Sequence, residues 1–196
     1  MGMTKDIGQR VEIVNIDDFH EITIALYQQH IGNGPVYLVH SYSSIEGVAD
    51  RIEFVAQTMS ILGGMDLVEN EAKKLHLSCG FEHLSAAKLL FLKSCQVDPY
   101  MVPDVLPLTV FDKKSDQDIS AISLGSGVYE LMACGKDEKQ VKRLKIIRKL
   151  MLKHGGLEMI DEPTHRVGFS CRHSHDILVG LLLAHAIKVR VSALAG

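Results

Sequence analysis

Cys79 and Cys171 stand 92 residues apart (171 − 79), and this single offset lays much of the chain onto itself without a gap. Both cysteines belong to the phrase Ser-Cys-x-x-x-His, closing in His83 and in His175, and both phrases run on into an apolar stretch. At the same offset Val36-Tyr37 meets Val128-Tyr129, Arg51 meets Arg143, Met59 meets Met151, Gly63-Gly64 meets Gly155-Gly156, and Leu89-Leu90 meets Leu181-Leu182. IGNG, from Ile31 to Gly34, resembles LGSG, from Leu124 to Gly127, with one residue of difference in spacing. A repeat in fixed register constrains a fold more than composition does, because each copy is one structural unit that buries the same positions. Two amphipathic segments alike by coincidence would not share a doubled glycine and a Cys/His phrase. The chain is therefore read as a tandem duplication: a first unit over 1–100 with its core at about 20–96, and a second over 101–196 with its core at about 112–187.

Reading each copy against the other sharpens the secondary structure. Glu21 to Gln28 alternates, meets the turn signal Gly32-Asn33-Gly34, and is followed by apolar Val36 to Ser41, which predicts a β-hairpin. Ile119 to Ser123 and Val128 to Ala133 repeat it. A helix follows, with Ser43 or Ser44 as N-cap, Glu46 in its first turn and Ile45, Val48, Ile52, Val55, Met59 and Leu62 at spacings of three and four. Val141, Leu144, Ile147 and Met151 repeat the stripe, and both helices should stop at Gly-Gly. Met65 to Val68 with Leu75 to Cys79, and Leu157 to Ile160 with Val167 to Cys171, read as second hairpins. Apolar helices from Leu84 to Cys95 and from Asp176 to about Ile187 close the copies. The order β-β-α-β-β-α, twice, defines an α+β protein built from two permuted ferredoxin-like units, antiparallel sheets covered by helices. Val11 to Ile16 and the proline-rich Val97 to Phe111 precede the two copies, and the latter reads as a linker able to add an edge strand.

Val36, Tyr37, Leu38 and Val39 are apolar on both sides of one strand, so both faces of that sheet require cover. A two-layer unit of about 90 residues is marginal alone. The copies are therefore expected to pack as one globular body about a pseudo-twofold axis, or to pair between chains as a homo-dimer or higher oligomer.

Bulk properties exclude more than they assign. With a hydrophobic fraction of 46%, a charged fraction of 23% and a net charge of −3, the 196-residue chain gives no global reason to expect nucleic acid or an anionic membrane as partner. The polar opening MGMTKDIGQRVE has no apolar core of a secretory signal, and Ile177 to Ile187 falls short of a membrane span. A cytoplasmic chain is the expectation, with its four cysteines as thiols or ligands rather than a disulfide framework.

In a β-β-α-β-β-α unit, the loops after the second and fourth strands enter helices at one edge of the sheet. That edge should collect His40, Ser43, Ser44, Cys79, Glu82 and His83 in the first copy, and Cys134, Lys136, Cys171, His173 and His175 in the second. Helix N-termini there favour a small anionic ligand, for which His83, His175, His40, Ser43 and Ser44 are the candidate contacts. Cys134, Cys171, His173 and His175 are two thiols and two imidazoles, a donor set that zinc takes tetrahedrally. Against this, Cys79 and Cys171 alternate in phase with Leu75, Leu77, Val167 and Phe169, as inward strand residues packing as small hydrophobes would. His83 and His175 could equally serve as helix caps.

The second long helix is also strongly basic: Lys136, Lys139, Lys142, Arg143, Lys145, Arg148, Lys149 and Lys153 stand against Asp137 and Glu138. Such a run is a solvated face, a binder of phosphates or nucleic acid, or a surface for an acidic partner such as the first-copy helix of another chain. Ligand or metal binding at the loop rims is the function these residues support. An enzyme with a Cys/His or zinc-assisted centre in one repeat is the alternative, and an interaction module using helix 136–153 is another. No Gly-x-Ser-x-Gly, P-loop or His-Glu-x-x-His pattern occurs to name a reaction.

Overall fold

The first hairpin forms where alternation and the glycine turn place it. Strand β2 (Thr23–Ile31) pairs antiparallel with β3 (Gly34–Ser41) along its whole length, from Ile24 opposite Ser41 to Ile31 opposite Gly34. Val36, Tyr37, Leu38 and Val39 are all buried, as a strand apolar on both sides requires. Strand β1 (Gln9–Asn15) adds to the free side of β2 and makes the edge of the sheet. The computed structural model describes residues 8–15, 22–32, 34–69, 73–97, 119–133 and 137–194. The expected edge strand in the linker lies outside these from residue 98 onward. The chain divides into two units, Met1–Tyr100 and Met101–Gly196. Among the described residues it is α+β, with two antiparallel sheets and four helices.

In the first unit β3 leads to α1 (Val48–Gly63), then β4 (Asp66–Glu69), β5 (Lys74–His76) and α2 (Leu84–Gln96). The sheet order is β1-β2-β3-β5-β4. In the second unit β6 (Ile119–Gly125) and β7 (Val128–Ala133) precede α3 (Glu138–Gly155), β8 (Glu158–Asp161), β9 (Arg166–Gly168) and α4 (Asp176–Leu194). Its order is β6-β7-β9-β8, the arrangement of the first sheet without the β1 edge. In each unit the two helices pack on one another, and the last helix also packs on the first strand of its sheet. Lys88 of α2 ties that contact in the first unit through a 2.6 Å ion pair to Glu12 of β1, whose carboxyl it holds below the usual range. No described helix is long and apolar enough to cross a membrane.

Both Gly-Gly pairs end their helices as expected. Gly64 and Gly156 adopt left-handed backbone, with φ of 61° and 66°, which closes the last turn without a Cβ clash. The first glycine of each pair has a different task. A Cβ on Gly63 would lie 2.3 Å from Cδ1 of Leu90, and one on Gly155 would lie 2.4 Å from Cδ1 of Leu182. These glycines let the paired helices approach, so Gly63→Ala or Gly155→Ala should overpack the crossing. The expected loss is about 1–3 kcal/mol in denaturant unfolding. An alanine at either site without measurable loss would show that the crossing relaxes freely.

Three expectations differ from the structure. Ser43 and Ser44 do not cap α1: the helix begins at Val48, after Gly47 in left-handed backbone, with no side-chain cap. The Ser43 hydroxyl instead accepts from the Thr23 N–H at 3.3 Å, and its own N–H donates to the Ser41 hydroxyl at 3.1 Å, so it fastens the end of the hairpin. Glu46 accordingly precedes the helix, and Asp50 is the acid of its first turn. In α3, by contrast, Asp137 caps, its carboxylate accepting from the Gln140 N–H at 2.9 Å.

The second hairpins are also shorter than their apolar pattern. β5 ends at His76 and β9 at Gly168, because the chain turns back: the Gly80 N–H donates to the Leu77 carbonyl and the Arg172 N–H to the Phe169 carbonyl, each at 3.0 Å. Cys79 and Cys171 therefore sit in turns beyond the ladder, not in its strands. Finally, the basic run of α3 is not a single solvated face. Lys139, Lys142, Lys145, Lys149 and Lys153 are exposed, but Arg148 is only 3% exposed. Lys136 lies outside the described residues.

Candidate metal centre

Each unit builds the same corner from the same phrase. In the first, β5 runs into Leu77, the turn carries Cys79, and His83 occupies the N-cap position of α2. The His83 ring nitrogen Nε2 lies 3.2 Å from Cys79 Sγ. The backbone N–H of Phe81 donates to the same sulfur at 3.4 Å. In the second, Nε2 of His175 lies 3.3 Å from Cys171 Sγ, and the His173 N–H donates to that sulfur at 3.4 Å. His83, His175 and Cys171 are buried, and Cys79 is half-buried.

A buried tyrosine positions each histidine. Tyr37 and Tyr129 point from the middle of β3 and β7 to the start of the last helix of their unit. The Tyr37 hydroxyl accepts the His83 backbone N–H at 3.2 Å, and the Tyr129 hydroxyl accepts that of His175 at 2.6 Å. Tyr129 also donates to Oδ1 of Asp176 at 2.9 Å. Each hydroxyl thus satisfies a donor at a helix start that would otherwise be buried without a partner. Burial pushes both phenols up to about 12, so they stay protonated across physiological pH. Burial also lowers the His175 pKa, assisted by nearby His173 and opposed by Asp176, so its imidazole is held neutral. Neutral imidazole is the form that ligates metal.

Tyr37 and Tyr129 seat the two histidines, and the Cys and His pattern alone does not point to them. They repeat at the offset of 92, and a tyrosine on an otherwise aliphatic strand needs a partner for its hydroxyl. That was the available signal.

The other candidates fall into separate places. His40 follows Val39 on β3 and, by strand alternation, faces away from Tyr37. Its ring packs edge-on against Tyr42 at 4.9 Å and Tyr27 at 6.3 Å, and the Tyr27 and Tyr42 hydroxyls share a 2.8 Å hydrogen bond. Ser43 belongs to the hairpin end, and Ser44 is exposed. His173 turns its Nδ1 to the Cys171 carbonyl at 2.8 Å, bracing the turn. Cys134 lies outside the described residues. Among those described, Cys79 with His83 in the first unit and Cys171 with His175 in the second are donors that could ligate a metal ion.

These pairs support two kinds of chemistry. A thiol and an imidazole can ligate one ion, or can act as nucleophile and base. Zinc bonds of about 2.3 Å to sulfur and about 2.0 Å to nitrogen, at a tetrahedral angle, space the donors by roughly 3.5 Å. The observed 3.2 Å and 3.3 Å need to open by only a few tenths of an ångström. The N–H groups directed at sulfur are contacts that a metal-bound thiolate accepts from its surroundings. No protein-family model, curated protein or solved structure matches the chain.

Proposed function

We propose that this chain is a metal-binding protein, with zinc as the preferred ion and the Cys-x-x-x-His corners as its ligands. The carrying observation is that both copies of the phrase present sulfur and a ring nitrogen at hydrogen-bond distance, on the same turn-and-helix frame. In each unit a thiol and an imidazole are donors of the kinds that zinc takes. The neutral state imposed on His175 by burial and the N–H bonds to both sulfurs favour ligation further.

The frame itself is proposed to be a permuted ferredoxin-like unit written twice. Moving the last strand of a β-α-β-β-α-β unit to its front yields the order seen in each half. Paired details at the offset of 92 support the duplication. Lys73 and His165 both take positive φ, 51° and 55°, and their carbonyls accept from the N–H groups of Val39 and Leu131 at 3.3 Å and 3.2 Å.

Metal analysis of untagged protein tests the proposal. The native chain should retain zinc through desalting, and the double variant Cys79→Ser with Cys171→Ser should not. Equal metal content in the two proteins would overturn it. Alkylation addresses the rival reading of Cys79 as a nucleophile. Zinc should protect the thiols from iodoacetamide, whereas rapid labelling of zinc-treated protein at Cys79 would favour a reactive thiol over a ligand.

A further inference from the structure

In the second unit α3 grips the turn between β8 and β9 with a buried cation. The guanidinium of Arg148, 3% exposed, donates from Nη1 to the Glu162 carbonyl at 3.0 Å and from Nη2 to Oε1 of Glu162 at 2.8 Å. Nη1 also lies 2.8 Å from Nδ1 of His165. Guanidinium has no acceptor, so Nδ1 must accept and the His165 proton resides on Nε2. His165 holds left-handed backbone at φ 55°, its N–H donates to the Glu162 carbonyl at 3.1 Å, and its own carbonyl accepts from Leu131 of β7. One residue therefore connects α3 through its ring, and the turn and β7 through its backbone.

The corresponding place in the first unit has opposite wiring. At an offset of 92, Ala56 stands for Arg148, Lys73 for His165 and Glu53 for Lys145. There Lys73 pairs with Glu53 at 3.0 Å, a cation answered by an anion. In the second unit the answering position is a lysine, and a further cation has been added beside it. His165 is thus compatible with its surroundings only while neutral.

We infer that Arg148 and His165 form an acid-sensitive latch, in which protonation of His165 converts the acceptor of Arg148 into a competing donor and releases the turn from 161 to 166. Four charged groups decide the sign. Arg148 and Lys145 of α3 oppose the imidazolium, while Glu162 of the turn and Glu130 of β7 favour it. Glu162 is largely exposed, and Glu130 is already bound by Arg166 at 2.9 Å, so neither cancels a cation at hydrogen-bond distance. Burial first, then these cations, lowers the His165 pKa. A folded value below the unfolded one makes the latch fully stabilising above about pH 6.5. That contribution fades as pH falls through the lower folded value.

Hydrogen exchange of residues 158–168 at pH 7.5 and pH 5.5, corrected for intrinsic rates, tests the latch. In the native protein, protection of this segment should drop severalfold at the lower pH relative to the helix core of the same unit. His165→Asn, which tolerates left-handed backbone and does not titrate, should show no such drop. Unchanged protection in the native protein, or an equal drop in the variant, overturns the inference. Nitrogen-15 NMR of native His165 provides a second measurement that does not depend on the variant folding. Neutral imidazole with its proton on Nε2 at pH 7.5 is expected, and a proton on Nδ1 contradicts the geometry.

Discussion

Zinc added to metal-free protein raises its melting temperature by roughly 5–10 °C once free zinc exceeds Kd about a hundredfold, and chelation reverses the rise. The magnitude follows from mass action. An ion that binds only the folded chain stabilises it by about 2.7 kcal/mol at that excess, and about 2–4 °C accompanies each kcal/mol in a chain of this size. The direction follows from the frame. Each thiol lies on a turn and each imidazole at the start of a helix, so an ion on either pair fastens the turn to the helix. Unfolding separates these donors and loses the ion. Cys79→Ser with Cys171→Ser should remove the shift while leaving metal-free melting nearly unchanged, since serine keeps the shape and each sulfur makes few polar contacts. A zinc-dependent rise of equal size in the double variant would assign the stabilisation to other ligands.

Arg148→Ala carries the second large effect, about 2–3 kcal/mol in denaturant unfolding, whereas alanine at Lys139, Lys142, Lys149 or Lys153 changes stability by no more than about 0.5 kcal/mol. All five residues belong to one basic run on one helix, and only their surroundings separate them. Arg148 is sequestered with its side chain bonded to the β8–β9 turn; its loss takes one of two donors from the Glu162 carbonyl and the donor that faces His165 Nδ1, and empties the space that the side chain fills. The Glu162 carboxylate is mostly exposed and regains water, which places the cost below that of a fully buried pair. Lys142, by comparison, makes a solvated i,i+4 pair with Glu138 at 2.6 Å. Equal effects for Arg148 and the lysines would mean that the grip on the turn contributes nothing.

The repeat explains why much of this fold was legible in the chain. Two copies in one register show which positions tolerate change, so Gly63-Gly64 and Gly155-Gly156 could be recognised as helix ends before any geometry was known. Element order survived for the same reason. Local chemistry was less readable. Ser43 has the composition of a helix cap, but the neighbouring strand competes for its hydroxyl, and only the fold reveals the Thr23 N–H within reach. Alternation extended the second hairpins through Cys79 and Cys171, since apolar period alone does not register where backbone bonding leaves the ladder. Arg148 could not be told from its basic neighbours, because its acceptors come from a turn fourteen residues away. The Cys/His phrase was legible, whereas the tyrosines that seat its histidines are 46 residues from them in sequence.

Cobalt substitution measures the metal-binding claim most directly, because a thiolate bound to Co2+ produces a charge-transfer band in the near ultraviolet and tetrahedral coordination produces strong visible bands. Metal-free protein titrated with Co2+ should develop both sets, and zinc should bleach them. Removal of Cys79 and Cys171 together should abolish the charge-transfer band. A titration that leaves only the faint spectrum of hydrated cobalt would contradict the account, whatever the stability of the fold.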